Sequence, residues 1–339
     1  MRTDRILAAA FVVLLSTAVV GLSTGSSGAS FTGTTTNPGQ ILNTQSVTPP
    51  ASFTSATSAA AGRIDLVWTA TASPAGSHTL TYLVLRGPVG GPYVQVGTTA
   101  GLAYSDTPAS DGTYEYVVQT KIAQGVGFFT SGNSATQSAK SDRAAPTMSA
   151  SCNGGSCAGW FNGNVTVVVS GTDGAGVGMG TATTNVDGAG AATSAAPRSV
   201  TVSGQSASHT VVYSGADAAG NATGNTTVTF GIDLTSPTVP TGVGSASTGG
   251  NPANIDVTWT AATDAMSGVA GYTVRWVQAT TCPAATPANY PNAAAAGNVT
   301  TYNITPLTKN AMYCAYVIAT DNAGNQSAAS AVTGPTKAK

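Results

Sequence analysis

The run from Tyr313 to Thr320 constrains this chain most. Tyr313, Ala315, Val317 and Ala319 take one parity; Cys314, Tyr316, Ile318 and Thr320 take the other. Period-two alternation rich in β-branched and aromatic residues reads as a strand with one face on a core. Asp321-Asn322-Ala323-Gly324-Asn325 follows, made of residue types that tolerate the left-handed backbone of a turn. Leu307 stands six residues ahead of Tyr313.

Leu, six residues on Tyr, then a strand is the pattern that opens strand F of a fibronectin type III module, which this stretch resembles. The resemblance implies that Tyr313 forms a tyrosine corner, its hydroxyl tied back to upstream backbone.

The same unit recurs. Ile64-Asp65-Leu66-Val67-Trp68-Thr69 and Ile255-Asp256-Val257-Thr258-Trp259-Thr260 are nearly the same hexapeptide. Each alternates and places its Trp at the core position of strand B, so Trp68 and Trp259 are read as buried. Tyr82–Arg86 and Gly271–Trp276 repeat a strand C. Asp111–Val118 reads as strand F of the first unit, with Tyr114 as its corner and Pro108 where the Leu would stand. Between the two lies a different unit. Asn164–Val169, His209–Tyr213 and Thr226–Ile232 are its strands, with turns at Thr172–Val177 and Asp217–Asn221. It resembles the bacterial Ig-like repeats of surface proteins and lacks a Cys-Trp-Cys arrangement of the antibody type. The expected architecture is all-β, a tandem array of three Ig/fibronectin III-like β-sandwiches. The boundaries read from sequence are 51–140 (fibronectin III-like), 141–236 (Ig-like) and 237–336 (fibronectin III-like). This is repetition of whole domains, unlike solenoid repeats of about 20–50 residues.

Composition agrees. Only 7% of the 339 residues are charged, yet 42% are hydrophobic, which suits folded β-domains better than disorder. Sparse Lys and Glu argue against long surface helices. A net charge of −1 gives no basic field for nucleic acid.

The N-terminus reads as a targeting segment. Arg2 and Arg5 precede an apolar run, Ile6–Leu22, and small residues follow from Ser23 to Ser30. This is the form of a secretory signal peptide, residues 1–28, cleaved near Gly28. Read as an uncleaved anchor, the run is slightly short of the roughly 20 residues a spanning helix prefers. After cleavage no membrane contact is expected, and the localisation is extracellular, secreted or cell-surface associated.

Residues 29–50 read as a Thr/Pro-rich linker ending at Pro49-Pro50. Ala29, Phe31, Thr32, Asn37 and Gly39 also resemble the start of mature proteins in the biofilm-fibre and camelysin group. That resemblance implies a donor strand added to a neighbouring subunit, with Phe31, Ile41, Leu42 and Val47 as apolar anchors. Pro38 interrupts such a strand.

Four cysteines fit an oxidising compartment and allow three pairings. Cys152 and Cys157 flank a tight loop, and Cys282 and Cys314 share a module, so Cys152–Cys157 and Cys282–Cys314 are expected.

No catalytic constellation is visible. His78 and His209 fall in different modules and are read as surface residues, so no triad forms within one fold. Asp173, Asp217, Asp264 and Asp321 lie in Asp/Asn/Gly turns; they cap those turns or offer hard oxygens to calcium, which wants about 6–8. Trp276 and Tyr290 are the freer aromatic candidates for stacking on carbohydrate, against packing at a core or edge. The expectation is a non-catalytic modular protein with no cofactor, an adhesive, binding or spacer array. Its partner would be a cell-surface or matrix protein or a polysaccharide. The alternatives are a fibre subunit and an accessory partner of a secreted hydrolase.

Overall fold

Alternating β-branched and aromatic residues between Gly/Asn/Asp turns favour extended backbone, and pairing into sheets satisfies its polar groups while burying one side-chain parity. In the computed structural model, residues 47–72, 79–124 and 127–339 are described. The chain divides into two compact units, at Ala144/Ala145.

Unit one contains a sandwich of β1 (Phe53–Ala59), β2 (Arg63–Trp68), β3 (Leu80–Gly87), β4 (Val94–Thr99), β5 (Ala103–Asp106), β6 (Gly112–Gln124), β7 (Gly127–Thr130) and β8 (Gln137–Ser141). One sheet runs β1-β2-β5; the other runs β4-β3-β6-β7, with β8 also paired to β6. Their inner faces bury Phe53, Ile64, Leu66, Trp68, Tyr82, Val84, Tyr116 and Val118. The sandwich starts earlier than the boundary read from sequence. Val47 is buried, and the Thr71 hydroxyl donates to the carbonyls of Thr48 (2.8 Å) and Pro49 (2.9 Å). The end of the expected linker is therefore part of the fold.

Unit two holds two sandwiches. The first uses β9 (Thr147–Cys152), β10 (Trp160–Phe161), β11 (Val165–Thr172), β12 (Met179–Val186), β13 (Ala191–Ala195), β14 (Arg198–Val202), β15 (Ser206–Asp217) and β16 (Thr226–Ile232). Sheets β14-β11-β9 and β10-β16-β15-β12-β13 enclose Val165, Val167, Val169, Val211, Phe230 and Ile232. The second uses β17 (Thr241–Ala246), β18 (Ala253–Thr260), β19 (Val269–Gln278), β20 (Asn292–Gly297), β21 (Thr301–Leu307), β22 (Met312–Asp321) and β23 (Thr336–Lys337). Sheets β17-β18-β21 and β20-β19-β22-β23 enclose Ile255, Val257, Trp259, Tyr272, Val274 and the Tyr313/Ala315/Val317/Ala319 parity of β22. This sandwich also runs past its expected end, since Ala338 is fully buried and exchanges backbone hydrogen bonds with Asn310 and Ala311.

Strand β22 departs from the one-faced reading. Its other parity is covered too: Cys314 and Tyr316 are fully buried under Tyr290. Residues 279–291, between β19 and β20, fold over that face, and Ala329 and Val332 pack against the same cluster.

In both fibronectin-like sandwiches the segment ahead of the last strand is not itself a regular strand. Ser327, Ser330 and Thr333 each donate a backbone N–H to β22 (Ala319, Val317, Ala315 carbonyls), and their hydroxyls accept the N–H of the same three residues. Ser131 and Ser134 do the same to Thr120 and Val118 on β6. A three-residue spacing is the repeat of an extended polyproline-type backbone, so one side chain in three faces the sheet.

Candidate functional site

The turns that end the F-like strands carry the polar groups of interest. Asp321 closes β22, and its carboxylate accepts the backbone N–H of Asn325 (2.8 Å) and its side-chain amide (2.8 Å). The same arrangement closes β15, where Asp217 accepts the backbone N–H of Asn221 (2.8 Å) and its amide (2.7 Å). Asp-x-x-x-Asn is thus a turn device in which the carboxylate holds the loop that reverses the chain.

In unit two this device reaches the preceding sandwich. The Asn325 amide also donates to the Asp233 carbonyl at 2.8 Å. Asp233 is fully buried just after β16, and its carboxylate accepts the N–H of Ser267 (3.1 Å) and Thr235 (2.9 Å). Asp264 accepts the N–H of Met266 (3.1 Å) and Gly268 (2.8 Å), which shapes the turn entering β19. Asn322 locks onto that turn through the Ser267 carbonyl at 2.7 Å. Thr238 and Thr263 exchange bonds a few residues along. The segment joining the two sandwiches is therefore bonded along its length.

Carboxylate oxygens of Asp233, Asp264 and Asp321 lie within 4.8 Å of one another. Among the described residues no Lys or Arg forms an ion pair with any of the three. Burial pushes the Asp233 carboxyl up, but the Ser267 and Thr235 donors outweigh it and hold it below its ordinary value. Reading the sequence alone passes over Asp233, because it ends a strand and sits in no Gly/Asn turn. Its one local signal is its position before the Pro-rich crossing to the next module. Asp173 and Asp217 do not join this cluster. Asp173 holds the β11–β12 turn through the Gly178 N–H (2.7 Å), and its other carboxylate oxygen is buried without a hydrogen-bond partner among the described residues.

Trp68 and Trp259 occupy equivalent core positions, 2% and 5% exposed. Each packs on the tyrosine of strand C, Tyr82 at 5.5 Å and Tyr272 at 5.2 Å between centroids. The Tyr82 and Tyr272 hydroxyls in turn accept the N–H of Thr71 and Ala262. The Tyr114 hydroxyl donates to the Ser110 carbonyl at 3.0 Å, four residues upstream, and the buried Pro108 sits near that bend. The Tyr313 hydroxyl accepts the Thr308 N–H (3.0 Å) and donates to Gln278 (3.2 Å), with Leu307 packed on the same core.

Cys152–Cys157 closes the loop after β9, and Cys282–Cys314 pins segment 279–291 to the outer face of β22. Tyr290 is not free for a ligand. It is fully buried on Tyr316, 4.8 Å between centroids in a T-shaped pair, because the disulfide draws its loop onto the sheet. Trp276 is half-buried against the third core.

His78 lies outside the described residues. His209 is not the surface residue expected from its place at a strand start. It is 7% exposed, with Nδ1 2.7 Å from Asp187 Oδ2, Nε2 2.9 Å from the Gly204 carbonyl and the ring against Phe230. Both ring nitrogens face acceptors, so the ring offers no free lone pair for general-base work. Sequence reasoning also passes over Asp106, which accepts from Arg86 (2.7 Å) and from the fully buried Tyr116 hydroxyl (2.8 Å).

Residues 239–334 match the fibronectin type III domain model. No curated protein matches the chain. Among solved structures, chicken CNTN1 FN1-FN3 domains are similar at 14% identity and a TM-score of 0.38, over 86% of this chain and 97% of that one. Domains A168-A170 from titin are similar at 14% identity and a TM-score of 0.39, over 84% and 96%. The chain is an all-β protein of tandem Ig/fibronectin III-like β-sandwiches, of which residues 239–334 are a fibronectin type III module.

Proposed function

We propose that the chain is a secreted or cell-surface spacer that presents adhesive modules at a fixed separation. The observation that carries this reading is the bonded crossing inside unit two. A flexible tether needs free backbone, whereas residues 233–238 are held by Ser267, Asn325 and Thr263. Holding two sandwiches in one geometry serves reach and presentation; it contributes nothing to bond-breaking chemistry. Two disulfides suit an oxidising exterior. The partner class is a cell-surface or matrix protein or a polysaccharide. The fibre reading loses one of its anchors, because Val47 is already buried in its own sandwich; Phe31, Ile41 and Leu42 lie outside the described residues.

Spin labels at exposed positions Ala192 and Ala293 test the reading by pulsed electron resonance. A single narrow distance is expected, broadened by Asn325→Ala. A broad distribution in the unmodified chain would overturn the spacer role.

A further inference from the structure

Unit one carries two adjacent large apolar side chains in the open. Phe128 and Phe129 on β7 are 61% and 52% exposed. They pair with Ala123 and Ile122 on β6. Neighbouring residues of a strand point to opposite faces, so one ring stands on each side of the hairpin. A flat protein patch or a sugar ring can cover only one of them. A fluid apolar medium that admits the hairpin covers both.

The charge that lies against the rings is a cation. The Lys121 ammonium lies 4.2 Å from the centroid of the Phe128 ring and forms no ion pair among the described residues. From Gln119 to Ser134 the sequence has no Asp or Glu. Phe on the apolar side with Lys on the polar side is the make-up of elements that lie in the interfacial layer of a bilayer, where the ammonium meets headgroup phosphate.

The hairpin also projects from the end of the sandwich at which the chain enters. Leu80, at the start of β3, pairs with Ile122, and Tyr82 two residues on holds Thr71, which holds Thr48. Val47, the first described residue, therefore enters at this same pole, 25 positions after the end of the apolar run Ile6–Leu22 in the sequence. On the uncleaved-anchor reading of that run, a stretch of this length, at about 3.3–3.6 Å per residue, is ample to let the pole reach the bilayer.

We propose that the β6–β7 hairpin is a membrane-contact element: Phe128 and Phe129 enter the interfacial layer of a lipid bilayer, with Lys121 at headgroup level. This goes beyond the spacer reading and does not depend on the stiffness of unit two.

The test uses the full chain carrying Phe128→Trp, with the unmodified chain subtracted for its own tryptophans. It is reconstituted in vesicles of phosphatidylcholine alone, and of equal parts phosphatidylcholine and phosphatidylglycerol. The expected result is a shift of the added emission to shorter wavelength and quenching by brominated acyl chains. Lys121→Glu should weaken the quenching, most in the anionic vesicles. A tryptophan that remains at the aqueous wavelength and quenchable by acrylamide in both vesicles overturns the proposal. So does a shift that follows protein concentration at fixed lipid, which would assign the rings to a second copy of the chain. Near-UV circular dichroism of the variant, matching the unmodified chain, shows that the sandwich is intact.

Discussion

His209→Phe should destabilise unit two at acid pH and much less at alkaline pH. The native ring makes two short contacts, to a carboxylate and a carbonyl, and only the doubly protonated imidazolium donates in both. Phenylalanine keeps a ring against Phe230 and removes both donors. Hydrogen bonds to charged groups are worth about 1.5–3 kcal/mol each, and burial of the ring offsets part of that. A net cost of about 1–3 kcal/mol follows at pH 5.5, and one kcal/mol moves the melting point of a unit of this size by about 2–4 °C. Burial pulls the His209 pKa down, but Asp187 and the Gly204 carbonyl outweigh it, so the folded value is raised above 6.5. The stability it confers is therefore fully present below the unfolded pKa and is lost as pH rises through the folded one. Burial raises and the Thr210 N–H and His209 lower the Asp187 pKa, with a net fall below 3.8. Its contribution is present above that unfolded value and is lost as pH falls through the depressed one. Stability from the pair should peak between those limits. Calorimetry from pH 4 to 9 reads this directly, and His78→Gln removes the one other histidine as a source of the slope. A wild-type to His209→Phe difference that is the same at pH 5.5 and pH 8.5 would refute the reasoning.

Tyr313→Phe removes the acceptor of the Thr308 N–H and should cost about 1–3 kcal/mol. Because unit two is one compact body, both of its sandwiches should shift in the melt while unit one does not; a shift confined to the last sandwich would show the crossing to be weaker than its bonds imply. Cys282→Ser should cost about 2–4 kcal/mol and raise hydrogen exchange along residues 279–291 and at Tyr316, and unchanged exchange there would mean that the apolar contacts alone hold the segment. Calcium should raise the melting temperature of unit two, since Asp233, Asp264 and Asp321 face one another without an ion-paired Lys or Arg among the described residues; Asp233→Asn should abolish the effect, and identical melting in calcium and in chelator would count against it.

What is legible in the sequence, and what is hidden, divides along a physical line. Period-two alternation names a strand and the side chains that share a face, so β2, β6, β18, β19 and β22 are each visible from a few letters. The Asp-x-x-x-Asn turns are visible too, because Asp and Asn bond locally and the partner is four residues away. Each hidden feature depends on a residue distant in sequence. Cys314, Tyr316 and Ile318 read as a solvent face, yet Tyr290, from a segment with no periodicity, covers them. His209 reads as exposed because its partner Asp187 lies in a separate turn. Asp233 has no local signature, since the Ser267 and Asn325 groups that define its role come from the next sandwich. Ser327, Ser330 and Thr333 do leave a mark, a hydroxyl at every third position. That period fits neither strand nor helix, and it is the signal that an extended segment meets its sheet through one side chain in three. Ser131 and Ser134 carry the same spacing after β6, so the pattern reads in both fibronectin-like sandwiches once the period sought is three rather than two.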